Sequence, residues 1–203
     1  MGRFQVKKQD TFIDMTPMSD VMVLLLTFFM LTATFTKEEP VKVNVPGSVS
    51  EIKIPETNLL TIFVSPQGKI FMAMDNPAGQ EKMAQELIDN EKLNLTAAQL
   101  KEFSQVPTFG TPLSTIASWV EMEGVKRNEI LTKDPSAGIP CDSVSDELKE
   151  WVIAARNANG ENMRIAIKAD QKTPYSSIKE VMNSLRRIDE SRYNLITTLK
   201  AGE

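Results

Sequence analysis

The sequence contains no histidine and a single cysteine, Cys141, among its 203 residues. Without histidine it lacks the most common metal ligand and the usual general base of serine and cysteine hydrolases. One cysteine cannot form an internal disulfide or a thiolate zinc cluster. We find no nucleophile–base pair in the sequence, and we therefore expect a protein that is not an enzyme, needs no cofactor and holds no metal.

The chain also lacks an excess of positive charge, since its formal net charge is −4. The first 35 residues carry three basic and three acidic side chains, so the whole excess of negative charge lies after them. A mildly acidic soluble portion argues against nucleic acid as a partner.

Only one long apolar run is present, and it lies near the N-terminus. Residues 21–35, VMVLLLTFFMLTATF, carry no formal charge. Their number is compatible with a signal peptide, a buried core helix or part of a membrane span. Three preceding aspartates and the lack of a small-x-small cleavage site disfavour a signal peptide. A core helix is disfavoured because apolar side chains surround nearly the whole helix.

A membrane span is the interpretation that we favour for this run. Thr16 is suited to be the N-cap of a helix, with Pro17 as its first residue. From Pro17 to Phe35 such a helix is about 28 Å long, close to the thickness of the hydrocarbon layer. The basic residues of the N-terminal tail favour a cytoplasmic N-terminus and place the bulk of the chain outside.

Asp20 lies at the head of the apolar run. In water it would be an ordinary first-turn carboxylate favoured by the helix dipole. The uncharged run, however, covers only about 22 Å, about 8 Å less than the hydrocarbon layer, so we expect Asp20 to be drawn into the membrane. Burial of a charge costs about 2.5–3.5 kcal/mol at the membrane centre and less near its edge. Such a carboxylate is expected to be neutral or to face a polar cavity.

Three threonines share the helix face of Asp20. Thr27 lies about 20° from Asp20 around the helix axis, and Thr16 and Thr34 lie about 40° from it. This polar stripe favours a partner helix or a wetted path between helices, although threonines also join helices without any further role. The pattern therefore favours a function for Asp20 beyond starting the helix.

The residues after the run predict a small α+β domain, with two helices on one face of a mixed sheet. Strands are expected at 58–64, 69–74, 163–169 and 193–199, and the first two are joined by a turn containing Pro66 and Gly68. The two helices are expected to begin at Ser145 and at Thr173-Pro174. Their predicted apolar faces are Leu148, Trp151, Val152 and Ala155 in the first, and Ile178, Val181, Met182 and Leu185 in the second.

For two segments the sequence pattern leaves the structure or the role open. Residues 37–58 are rich in proline, and the alternation of Val41, Val43 and Val45 is compatible with an edge strand for a partner or with an extended tether. Residues from about 76 to 141 form a largely helical insertion, with two short helices within 79–103 and another beginning at Thr111-Pro112. The insertion is either a decoration packed on the core or a docking surface for a partner or a second copy.

Three stretches resemble the ExbD/TolR family. FIDMTPMSDVMVLLLTFFMLTATF, residues 12–35, resembles its single transmembrane helix, and Asp20 matches the intramembrane aspartate that follows a Thr-Pro pair. VKVNVP, residues 41–46, is similar to a motif ending in Leu-Pro just outside the membrane, with Val45 in the leucine position. RIAIKADQKTPYSSIKEVMNSLRR, residues 164–187, resembles a strand–helix unit of the periplasmic domain. The long insertion departs from the family pattern.

The resemblance implies a subunit of the inner membrane that transduces the proton-motive force, with protons as the coupling ion. Asp20 is then the proton-carrying residue, and Val41, Val43, Val45 and Pro46 form a partner-binding linker. The implied partners are an ExbB-like ring of multi-span subunits, a TonB-like protein and a second copy of the chain in a dimer. We expect a cytoplasmic tail at 1–15, a span at 16–36, a periplasmic linker at 37–58 and a periplasmic domain at 59–203.

Other functions remain open at this point. The TolR branch of the family serves envelope maintenance, and a membrane-anchored module that binds the cell wall would use the domain rather than Asp20. A stator protein of a motility motor and a periplasmic enzyme are further alternatives. The compact ending disfavours the stator, and the missing histidine disfavours the enzyme.

Overall fold

The computed structural model describes residues 15–33, 41, 43–48, 58–142, 145–160, 162–196 and 198–199. The chain divides into two compact units, Met1–Lys37 and Glu38–Glu203. The helices are α1 (Thr16–Thr32), α2 (Pro77–Asp89), α3 (Ala97–Phe103), α4 (Ile116–Val120), α5 (Gly124–Lys133), α6 (Glu147–Asn159) and α7 (Tyr175–Arg187). The strands are β1 (Gly47–Ser48), β2 (Leu59–Val64), β3 (Ile70–Met74), β4 (Arg164–Ala169), β5 (Tyr193–Leu195) and β6 (Thr198–Leu199).

Four strands of the second unit form a mixed sheet in the order β3–β2–β4–β5. Strands β2 and β3 form an antiparallel hairpin, whereas β4 runs parallel to both β2 and β5. At the hairpin turn the Gly68 N–H donates to the Ser65 carbonyl oxygen at 2.9 Å. Gly68 has a φ of +80°, which glycine adopts without the steric cost of a Cβ atom. The predicted hairpin and mixed sheet are confirmed.

One face of this sheet is buried along β2 and β4 by other parts of the domain, whereas Leu195 of the edge strand β5 is 43% exposed. The strand register brings together a set of buried aliphatic side chains on this face, which are Leu60, Ile62, Val64, Ile165, Ile167 and Ala169. The apolar faces predicted for α6 and α7 join the same core: Trp151 of α6 and Leu185 of α7 are fully buried. These two faces are therefore confirmed.

The insertion contributes to this core instead of standing apart from it. Helix α6 packs against α7, as expected, and also along α2 of the insertion. The ring centroids of Phe103 and Phe109 lie 5.9 Å and 4.9 Å from that of Trp151. The prediction of two packed helices was therefore incomplete, because α2 joins them.

The insertion also covers the β3 edge of the sheet. Met72 and Phe109 exchange backbone hydrogen bonds of 2.7 and 2.9 Å, and the Ile139 N–H donates to the Ile70 carbonyl oxygen at 2.9 Å. Because edge strands present backbone groups that can pair with other chains, this cover limits unwanted association at β3.

Several helix starts differ from the predictions. Helix α1 begins at Thr16 with Met15 in the N-cap position, so Thr16 is the first helical residue and not the cap. Pro17 fits in this first turn because a backbone N–H there has no acceptor within the helix. Helix α4 begins at Ile116, and not at the Thr111-Pro112 pair.

The predicted caps of the two domain helices were wrong by one residue. Asp146, and not Ser145, is the N-cap of α6, and its carboxylate accepts a hydrogen bond from the Lys149 N–H at 3.3 Å. The N-cap position of α7 is held by Pro174. The Thr173 hydroxyl instead lies within hydrogen-bond distance of carbonyl oxygens at the end of β2 and in the adjoining turn.

The expected single final strand is divided into β5 and β6. Strand β5 pairs with β4, and the Ile196 N–H then donates to the Ile167 carbonyl oxygen at 2.9 Å. Beyond that point β6 pairs with β1 in a separate two-stranded parallel sheet. The division arises because the chain leaves β4 to pair with a strand that directly follows the 41–46 stretch.

Candidate functional site

Asp20 lies in the second turn of α1, and its side chain is exposed. Thr27, on the same helix face, donates its hydroxyl proton to the Leu24 carbonyl oxygen at 2.9 Å. Thr16 is the first residue of the helix, and the predicted stripe member Thr34 lies outside the described residues. The described part of the stripe therefore consists of Thr16, Asp20 and Thr27 on one helix.

Every residue of α1 is exposed within the described structure. Its large apolar side chains share this exposure: Leu31 has 87% of its surface exposed, and Met30 has 75%. Over the part of the chain that the structure describes, no helix combines the length and the apolar composition that a membrane crossing requires. Helix α1, with 17 residues, is the described portion of the predicted span.

The segment predicted to bind a partner, residues 41–46, contacts the chain's own domain. Val41 is 8% exposed and belongs to the domain core, and Val43 packs against that core. Val45 and Pro46 are half-buried. Val41 also borders a cleft with Phe71 of β3 and Leu131 of α5.

The backbone of Asn44 is held at the carboxyl end of β4. Its N–H donates to an Asp170 carboxylate oxygen at 2.8 Å. Its carbonyl oxygen accepts a hydrogen bond from the Gln171 N–H, also at 2.8 Å. Asn44 is therefore bound through both of its backbone groups, and strand β1 continues this docking by pairing with β6.

Asp170 can hold residues 41–46 in place, because hydrogen bonds to β2 and within its own turn fix its position. It directly follows β4, is only 6% exposed, and donates its N–H to the Val64 carbonyl oxygen at 3.1 Å. Its second carboxylate oxygen accepts a hydrogen bond from the Lys172 N–H at 2.9 Å. A buried carboxylate with such bonds has its desolvation cost offset by charge-assisted hydrogen bonds.

The linker clamp, by which we mean the contact between Asn44 and the pair Asp170–Gln171, was not predicted from the sequence. Asp170 lies in the 164–187 stretch that resembles the family, and Asn44 lies in the 41–46 stretch. Their positions in two separate motifs were the available signal. Their pairing could not be inferred, because 126 residues separate them along the chain.

Cys141 has no features of a reactive thiol. It is buried, and burial, together with the negative charge of Asp146, raises the pKa of its thiol to about 12. A thiol with a raised pKa is a poor nucleophile near neutral pH. Among the described residues, no group of three or more histidine, cysteine or acidic side chains is arranged to hold a metal ion.

The fold and the candidate site together define a class of protein: an exposed apolar helix with one carboxylate, joined to an α+β domain that holds its own linker. Residues 7–200 match the family described as "Biopolymer transport protein ExbD/TolR". The chain belongs to the ExbD/TolR family, as its three motifs predicted.

One curated relative supports this assignment over a short stretch. The "Biopolymer transport protein exbD2" of Vibrio cholerae serotype O1 (strain ATCC 39315 / El Tor Inaba N16961) is 35% identical to this chain over 52 residues. The match covers 26% of this chain and 39% of the relative. No solved structure matches the chain. ExbD/TolR proteins are non-enzymatic transducers, and membership supports a role in TonB- or Tol-type energy transduction.

Proposed function

We propose that this protein is a single-pass subunit of the inner membrane that couples proton passage to TonB-dependent transport across the outer membrane. Helix α1 and its flanking residues form the span, with the N-terminus in the cytoplasm and the α+β domain in the periplasm. The main support is that α1 is apolar and wholly exposed, because a surface of this kind needs a non-aqueous surrounding.

Asp20 is the proposed proton-carrying residue. A charged carboxylate is costly in the hydrocarbon layer, and protonation removes this cost. The neutral side chain can then move across an apolar partner surface and release its proton on the other side. Protonation therefore permits a movement of the helix that the charged form opposes. The proton is the coupling ion, and no cofactor takes part.

The threonines on the same face complete the proposed path. The Thr27 hydroxyl already donates a hydrogen bond within α1. It therefore adds a polar group to this face without needing an acceptor on another helix. Thr16 and Thr34 would extend this surface towards the two ends of the span. The electrical part of the driving force amounts to about 2.3 kcal/mol per charge for every 100 mV.

An ExbB-like ring of multi-span subunits is the proposed surrounding of α1, in which two copies of the chain would form a dimer. A TonB-like protein is the proposed recipient of the motion in the periplasm. Residues 41–46 are the candidate contact with such a partner. Because the linker clamp occupies the N–H and the carbonyl oxygen of Asn44, backbone pairing of a partner strand with Asn44 requires the clamp to open.

The name of the Vibrio cholerae relative supports the TonB branch over the Tol branch. The alternative is a TolR-like subunit that maintains the cell envelope, or an anchored module that binds the cell wall. In these cases the periplasmic domain would carry the function.

Replacement of the native chain by an Asp20→Asn variant tests the proposal in cells. We expect unchanged expression and assembly but loss of energised uptake through outer-membrane transporters, because Asn cannot carry a proton. Asp10→Asn, which removes the same charge from the N-terminal tail, serves as the matched control and should retain uptake. Normal uptake by the Asp20→Asn variant would refute the mechanism. Normal uptake with a defective envelope would instead assign the chain to the Tol branch.

A further inference from the structure

Three arginines converge on one cavity of the periplasmic domain. The cavity has a volume of about 220 Å³ and is lined by Arg156, Asn162, Met163, Arg164 and Arg192. Its walls come from the end of α6, the start of β4 and the residue before β5. Three positive side chains therefore surround this cavity, although the whole chain has a net charge of −4.

Arg156 forms a fixed wall of this cavity. Its guanidinium forms an ion pair with Glu190 and donates hydrogen bonds to the carbonyl oxygens of Gly160, at 3.3 Å, and Met163, at 2.8 Å. These contacts join the end of α6 to the loops on either side of the cavity. Glu190 offsets the charge of Arg156, so the remaining positive charge belongs to Arg164 and Arg192.

Arg164 and Arg192 lie side by side at the same end of two adjacent strands. The residues that follow them, Ile165 and Tyr193, are paired in the parallel register of β4 and β5. Neighbouring strands lie about 4.8 Å apart, so the two guanidinium groups leave the backbone close together. Neither group forms an ion pair with a residue that the structure describes.

Like charges placed side by side on neighbouring strands destabilise a sheet. An anion between them would remove this repulsion and accept hydrogen bonds from both guanidinium groups. Arginine matches the geometry of carboxylate and phosphate oxygens, with two parallel hydrogen bonds to one group. The cavity has room for such a group with some of its water, since a water molecule occupies about 30 Å³.

We propose that this cavity is a binding site for a small carboxylate- or phosphate-bearing ligand, recognised mainly by Arg164 and Arg192. The proposal goes beyond the proton-coupled function and does not depend on it. The cavity lies at the amino end of β4, whereas the linker clamp lies at its carboxyl end, about 17–20 Å away along a six-residue strand. The cavity and the Asn44 contact therefore lie at opposite ends of β4.

Calorimetric titration of the full-length chain in detergent micelles tests this site. Inorganic phosphate and succinate are the two probes, with sodium chloride used to keep the ionic strength constant. The double variant Arg164→Gln/Arg192→Gln removes the proposed ligands. Lys179→Gln/Arg186→Gln removes two positive charges from exposed positions of α7 and is the matched control.

We expect at least one probe to bind the native chain, and we expect the Arg164/Arg192 variant to bind it at least about tenfold more weakly, because two charge-assisted contacts are lost. The control should bind as the native chain does. Binding of phosphate only, or of succinate only, identifies the ligand class. Absence of binding by both probes would overturn the proposal, and so would equal weakening in the two variants.

A thermal measurement separates ligand binding from a structural role. Without added anion, the Arg164/Arg192 variant should unfold at the same temperature as the native chain or at a higher one, because a like-charge repulsion has been removed. The anion that binds should raise the unfolding temperature of the native chain only. A variant that is less stable without anion would show that the two arginines hold the domain together, which contradicts the proposal.

Discussion

Helix α1 and the core of the α+β domain use similar apolar side chains in opposite ways. All 17 residues of α1 are exposed in the described structure, with Leu31 at 87%. In the domain, Trp151 and Leu60 are completely buried. Burial of a large apolar side chain stabilises a protein by about 1.5–3 kcal/mol, and the described residues of α1 gain none of this. Burial of apolar side chains therefore stabilises the domain, whereas the described residues of α1 show no such burial.

The largest expected effect on stability lies in the domain core. Trp151→Ala should lower the free energy of unfolding of the domain by about 3–5 kcal/mol, because it leaves a cavity beside Phe103 and Phe109. Chemical denaturation followed by circular dichroism measures this loss. Val125→Ala is the control, since Val125 is 70% exposed and its replacement should change stability by about 0.5 kcal/mol or less. Similar losses in both variants would contradict this account of the core.

The corresponding change in α1 should affect location and leave the domain intact. Leu25→Arg places a charge in the apolar helix at a cost of about 2.5–3.5 kcal/mol for insertion into a membrane. We expect a smaller membrane-bound fraction after cell fractionation, with an unchanged unfolding temperature of the domain. Leu25→Ala should stay in the membrane. If Leu25→Arg fractionates like the native chain, α1 is not the anchor.

Loss of the linker clamp should have a moderate effect, which is a weaker attachment of residues 41–48 to the domain. Asp170→Ala removes the acceptor of the Asn44 N–H, and a hydrogen bond to a charged group contributes about 1.5–3 kcal/mol. Hydrogen exchange measured by mass spectrometry should therefore become faster in the 41–48 segment. Asp142→Ala removes an exposed carboxylate and should leave that exchange unchanged. Unaltered exchange in the Asp170 variant would show that other contacts hold the linker.

The smallest expected effect is a pH dependence of the free energy of unfolding that arises from Cys141. Burial and Asp146 raise the pKa of this thiol from 9.0 to about 12, so the folded state keeps its proton where the unfolded state loses it. The contribution to stability is complete below pH 9 and is lost as the pH rises towards 12. At pH 10 the loss should be about 1.4 kcal/mol.

A Cys141→Ala variant isolates this contribution, because all other titrating groups are shared with the native chain. The difference in the free energy of unfolding between the two proteins should fall as the pH rises from 8 to 10. A difference that stays constant over this range would mean that the thiol is not shielded in the folded state.

Much of the domain fold could be predicted from local patterns. The hairpin followed from two apolar runs joined by a turn with Pro66 and Gly68, and β4 followed from alternation. The apolar faces of α6 and α7 followed from helical spacing, and all of these were confirmed. These features depend on residues close together in the chain, and a single sequence displays them directly.

The helix caps show where such reasoning ends. Ser145 and Asp146 are both suitable N-caps, and local pattern does not decide between them. Asp146 is also bound by Ser184 at 2.6 Å and by Arg187 at 2.8 Å, both from α7. The cap is therefore fixed by a contact between two helices, which the local sequence does not reveal.

The same limit applies to the candidate sites. Asp20 could be identified because its signal is local: a carboxylate beside an apolar run. The linker clamp depends on Asn44 meeting Asp170, and the arginine cavity depends on the register of β4 against β5. Both arise from tertiary contacts across more than one element, and only the folded chain brings their residues together.

Carbodiimide labelling of Asp20 tests the central claim most directly. Dicyclohexylcarbodiimide is apolar and reacts with protonated carboxyl groups, whereas a water-soluble carbodiimide reaches carboxyl groups in contact with water. In native membranes that hold the full-length chain, mass spectrometry should find the apolar reagent on the peptide that contains Asp20, and the water-soluble one should be absent from it. Modification of Asp20 by the water-soluble reagent alone would contradict a proton-carrying carboxylate within the membrane.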